Sequence, residues 1–193
     1  MKNDGVWLLS GLGVAGQALV ALLLLIGLLA LLGVRGPLET LRRWLWGYEL
    51  WAAFIVAAVA TSGSLYYSQV MLFTPCELCW FQRMFMYPLS GLLLLMAIWG
   101  DNRAARYVLA LPVVGAGIST YHMLIGYGAI TEPTGCLTHS TPAGCGFNWI
   151  GRWGLGYLQI ETLALTAFLL LIGFLVLASA GTAEDAATLP ADA

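Results

Sequence analysis

The chain has 193 residues, of which 60% are hydrophobic and only 9% charged. Soluble domains carry about 25% charged residues, so this composition describes an integral membrane protein. The net charge is −2 and no basic tract is present, which excludes a nucleic-acid-binding surface.

A helix needs about 20 apolar residues to cross a bilayer, and five segments reach that length. The first, Val6 to Val34, carries no charge. It is longer than the apolar core of a signal peptide, about 7–15 residues, and no A-x-A-like site closes it. It is expected to be a retained membrane helix. The second span covers Leu50 to Phe73, the third Cys79 to Trp99, the fourth Tyr107 to Tyr127 and the fifth Leu158 to Ala178. These runs are continuous rather than alternating, which argues for helices and against a β-barrel. The acidic tail Gly181–Ala193 is expected to be disordered.

Lys and Arg orient the spans. Arg35, Arg42 and Arg43 lie between spans one and two, and Arg103 and Arg106 between spans three and four. Both loops fall on one side, which the positive-inside rule makes cytoplasmic. The opposite side has only Lys2, Arg83 and Arg152. All four cysteines, Cys76, Cys79, Cys136 and Cys145, then face the outer side, where disulfides form and persist.

The first pair stands in Thr74-Pro75-Cys76-Glu77-Leu78-Cys79-Trp80-Phe81-Gln82-Arg83. Cysteines three apart on a helix share a face, so their sulfurs can meet. Thr74 with Pro75 and Glu77 predicts a capping box that starts the third helix and puts both cysteines in its first turns. A helix N-terminus favours a thiolate. Arg83 lies several residues inside the span, where a cation is costly and marks function. Glu77 is read as a cap.

The second pair, Cys136 and Cys145, lies in a loop rich in Gly, Pro, Ser and Thr. A disulfide there is either a staple or a labile bond open to attack by another thiolate. The following Phe147–Trp153 is aromatic and is expected along the membrane surface. Two pairs on one side suggest a two-stage relay from an outside dithiol, through the loop pair, to the helix-mouth pair. No flavin, haem or iron–sulfur signature is present, so a lipid-soluble quinone is the natural acceptor. Its carbonyl oxygens need hydrogen-bond donors. Arg83 is the first candidate. His122 is the second, with an interhelical hydrogen bond as its other reading. Tyr121, Tyr87 and Trp80 either line the ring or simply pack the helices.

From Glu49 to Leu177 the sequence resembles the DsbB/BdbC family of membrane disulfide oxidoreductases. The resemblance rests chiefly on Pro75-Cys76-Glu77-Leu78-Cys79-Trp80-Phe81-Gln82-Arg83 and Met86-Tyr87-Pro88. It implies an all-α membrane protein of a bacterial inner membrane: a four-helix bundle over residues 48–178, with two cysteine-bearing outer loops. Residues 1–47 add an N-terminal transmembrane helix and a cytoplasmic linker, and 179–193 form the tail. It further implies reoxidation of an extracytoplasmic, DsbA-like thioredoxin-fold oxidase, with ubiquinone or menaquinone as acceptor. Cys136 would form the mixed disulfide with that partner. Cys145 would exchange with Cys76, and Cys79 would act on the quinone beside Arg83 and His122. The additional first helix and the compact loop pair depart from the family pattern.

Two rivals remain. Vitamin K epoxide reductase-type proteins use related chemistry, but there the loop pair precedes the Cys-x-x-Cys pair. A structural metal held by the cysteines and a histidine needs short ligand spacings, which Cys136 to Cys145 does not offer.

Overall fold

The computed structural model describes residues 2–131, 145, 146, 148, 150 and 158–188. Helix α1 spans Lys2–Leu31, α2 Gly36–Leu45, α3 Glu49–Leu65, α4 Glu77–Trp99, α5 Ala105–Val108, α6 Ala110–Gly126 and α7 Ile160–Thr188. No strand occurs among the described residues. Five helical segments are long and apolar enough to cross a membrane, as the apolar runs predict.

Helices α3, α4, α6 and α7 pack in a ring, and α1 lies against α7 outside it. This is an all-α bundle of four membrane helices with one added at the N-terminus. The shared core is apolar, centred on Leu89, Leu93, Phe168, Leu171 and Leu175. Phe168 reaches its place because Gly115 has no side chain: a Cβ there would strike the ring. The inward positions of α1 recur at helical spacing, through Val6, Leu9, Ser10, Gly13, Gly16 and Val20.

Several boundaries differ from expectation. The linker after α1 contains helix α2, with Pro37 in its first turn and Arg42 and Arg43 in its last, an order that suits the helix dipole. Span two ends in a π-helical turn, Tyr66–Val70. The chain then reverses at Leu72, whose φ of 56° is left-handed, a conformation costly for a branched residue. Span four is broken after Val108 into α5 and α6, ahead of Pro112, which has no N–H to give the preceding turn. Helix α7 continues to Thr188, into the segment expected to be disordered. Residues 189–193 lie outside the described residues.

The start of α4 is a correction. The capping box does not start the helix: Thr74 and Pro75 lie outside it, and it begins at Glu77 with Cys76 as its N-cap. The Cys76 sulfur accepts from the backbone N–H of Cys79 at 3.3 Å, a cap role that is usually an oxygen's. The two cysteines are therefore cap and third helical residue, and their sulfurs meet as the spacing predicts.

Candidate active site

At this helix mouth Cys76 Sγ and Cys79 Sγ are 2.8 Å apart, and both are free thiols. Cys76 is only 5% exposed. The Cys79 thiol beside it, together with hydrogen bonding and charge from His122, outweighs burial and draws its pKa below the usual thiol value, to about 5. The N-cap position acts in the same direction, because unpaired backbone N–H groups favour an anion.

His122 comes from α6 and is 1% exposed. Gln82 Nε2 donates to its Nδ1 at 3.2 Å, which leaves the hydrogen on Nε2. Nε2 then donates to the Cys145 carbonyl at 3.0 Å and lies 3.5 Å from Cys76 Sγ. This buried imidazole thus joins three chain segments. Cys145 takes part in a disulfide and packs with Cys76 in a small buried cluster. Cys136 and residues 147, 149 and 151–153 lie outside the described residues.

Arg83 sits one turn below Cys79. Its Nε donates to Ser64 Oγ at 3.0 Å and its Nη2 to the Ser64 carbonyl at 3.1 Å. The Tyr87 hydroxyl adds a bond to the same Ser64 Oγ at 3.3 Å, and the guanidinium stacks 5.3 Å from the Trp80 ring. A guanidinium has five N–H groups; Ser64 takes two of them. Cys76, Cys79, Arg83 and His122 all line one cavity of about 340 Å³. Tyr87 lines it too, whereas Trp80 and Tyr121 are outside its lining and exposed on the helix surface.

Three residues here were not singled out by sequence reasoning: Ser64, Gln82 and Glu161. Glu161 lies in the first turn of α7, is 3% exposed and lines the same cavity. Its Oε1 is 3.9 Å from His122 Nε2 and has no hydrogen-bond partner among the described residues. Gly126 makes room for it: a Cβ there would meet the side-chain oxygens of Gln159 and Glu161. A carboxyl inside an apolar span was the available signal.

Cys76, Cys79 and His122 bring three ligand atoms within 4.8 Å of one another. Tetrahedral zinc with Zn–S of about 2.3 Å holds its sulfurs about 3.8 Å apart. Sulfurs this close, 2.8 Å apart, can form a disulfide with one another.

Residues 42–179 match the family model of disulfide bond formation protein DsbB. The chain belongs to this family. It is 40% identical over 132 residues to disulfide bond formation protein C of Bacillus subtilis, covering 66% of this chain and 90% of that protein. A probable disulfide formation protein of Deinococcus radiodurans is 39% identical over 133 residues, 66% and 86% of the two chains. One from Metapseudomonas resinovorans is 35% identical over 124 residues, 64% and 84%. No solved structure is a significant match. As a DsbB family member with five membrane-length helices, the protein is a multi-pass membrane oxidoreductase of disulfide bond formation. Helix α1 lies wholly before the family match.

Proposed function

We propose that this DsbB family protein reoxidises an extracytoplasmic, DsbA-like dithiol oxidase and delivers the electrons to a membrane quinone. The observation that carries the reading is the meeting of Cys145 and the helix-mouth cysteine Cys76 at His122. The disulfide-bonded Cys145 and the free Cys76–Cys79 dithiol share one buried imidazole.

The sulfur steps balance as exchanges. A partner thiolate attacks Cys136 of a Cys136–Cys145 disulfide, and Cys145 leaves as a thiolate. Cys145 attacks Cys76 of a Cys76–Cys79 disulfide, and Cys79 leaves. The partner's second thiolate attacks its own sulfur bound to Cys136, which frees the partner as a disulfide. Cys136 then displaces Cys76 from Cys145. The loop disulfide is restored, and Cys76 and Cys79 hold the electron pair.

A quinone, when bound, accepts two electrons and two protons. The cavity suits such a ring: one end carries the thiols, Arg83 and His122, and the rest is mainly apolar, with aromatic rings from Tyr67, Phe73 and Phe168 among the aliphatic side chains. Cys79 is the thiol directed at the acceptor; joining Cys76 and Cys79 in a disulfide releases two electrons and two protons, which a bound quinone would take up. Ser64 and Tyr87 hold Arg83 so that its remaining N–H groups can meet a carbonyl oxygen as charge develops there. His122 and Glu161 stand beside the sulfurs as the groups that hold the protons the dithiol gives up. The distribution of arginines supports placing the cysteine end on the extracytoplasmic side of a bacterial inner membrane. The test is quinone reduction, followed by absorbance, with purified protein and a reduced thioredoxin-fold partner. Turnover supports the proposal; its absence with both ubiquinone and menaquinone overturns it.

A further inference from the structure

The cavity is not confined to the family core. Beyond its polar end it extends between α3 and α7, and its remaining wall is α1. Leu9, Leu12, Gly13 and Gly16 of α1 line it directly. The glycines set the closeness of this wall. A Cβ on Gly13 would strike Leu163 of α7, and one on Gly16 would come within 3.1 Å of Thr166. Leu9 packs over Gly63 of α3. So α1 crosses the gap between two core helices and closes the cavity on the side where the ring of four would open to lipid.

The lining changes character along its length. Thiols, guanidinium, imidazole and carboxyl cluster at one end, and the α1 side offers only aliphatic carbon and glycine. A ligand complementary to both ends has a polar, hydrogen-bond-accepting head and a hydrocarbon tail. We infer that α1 forms one wall of a channel for the isoprenoid tail of the quinone, so that this helix selects acceptors by their tails. The inference rests on the proposed quinone reaction and assigns a role to a segment outside the family match.

The test uses the full chain in lipid nanodiscs and a quinone carrying a photoactivatable diazirine on its second isoprene unit. Mass spectrometry after illumination should find the label on α1 between Leu9 and Gly16, and excess long-tailed quinone should abolish it. A diazirine-bearing phospholipid is the parallel probe. If it labels the same positions and quinone does not displace it, the groove holds membrane lipid and the inference fails. In turnover, L9F and G16L should raise the KM for a long-tailed quinone about tenfold, the equivalent of losing about two buried methylenes. The KM for a tail-free ring should stay within about twofold, because the head contacts are untouched. An equal rise for both quinones, or no change for either, overturns the tail channel. If the wild-type chain reduces quinone yet α1 takes no label, the inference falls and the quinone reaction stands. If the wild-type chain reduces no quinone, both fall.

Discussion

The two ends of the bundle differ in where most of their polar groups lie, although Glu49 is buried at the end that carries the arginines. At one end Arg35, Arg43, Arg103 and Arg106 lie exposed at helix ends and in turns. There a cation costs little, and its side chain can reach the headgroups. At the other end Gln82, His122, Gln159 and Glu161 are buried in otherwise aliphatic helices. Burial of that kind costs several kcal/mol unless partners are supplied. The hydrogen bonds of Gln82 and His122 lead to Cys76 and to the Cys145 carbonyl. The first arrangement is the one that the positive-inside rule associates with the cytoplasmic side. The second is one that stability alone would not select, and it marks the end where chemistry occurs.

Substitutions at the two ends should therefore differ in kind. The largest effect is expected for C79S at the buried end, which should lower quinone reduction by a reduced DsbA-like partner by at least about a thousandfold. Surviving turnover would remove Cys79 from its role. E161Q should slow turnover by about a hundredfold while leaving thiol–disulfide exchange with the partner intact, because it removes a proton-handling group and no sulfur. Equal loss in both assays would make Glu161 structural. R83A should raise the quinone KM by about tenfold or more, and S64A by about three- to tenfold, since Ser64 acts only by holding the guanidinium. An unchanged KM in R83A would take the arginine out of the site.

The thiolate at Cys76 gives a pH test. Its pKa is lowered to about 5, so the reactive thiolate persists above about pH 5 and is lost as pH falls through that value. Iodoacetamide labelling of Cys76 in the reduced protein, read by mass spectrometry, should follow that midpoint. The Cys79 thiol makes the largest lowering contribution, so C79A should move the midpoint upward further than H122A. A midpoint near that of an ordinary thiol in the unmodified protein would rule out a thiolate prepared by the fold. The smallest effect belongs to the exposed end: R43A should leave the quinone KM within about twofold, because no contact joins it to the cavity.

The spans could be read from the sequence because length and apolarity are properties of a linear run. Cys76, Cys79, Arg83 and His122 were legible because a cysteine pair, a cation and an imidazole are conspicuous in a membrane chain. The start of α4 was misjudged because capping rules rank threonine above cysteine, whereas here a sulfur takes the cap. Helix α2 was read as linker because a ten-residue amphipathic segment has no hydropathy signal of membrane length. Ser64, Gln82 and Glu161 act through contacts with residues 19, 40 and 39 positions away, and no local pattern encodes such convergence.

The N-cap at Cys76 ties covalent state to backbone order. A sulfur carrying negative charge answers the exposed amides of the first turn; a sulfur in a disulfide with Cys79 carries none. Each round of oxidation thus discharges the electrostatic anchor of α4, and each reduction restores it. The amide of Cys79, which donates to that sulfur, becomes a reporter of how many electrons the protein holds. Its hydrogen exchange should be slower in the two-electron-loaded protein than in the empty one.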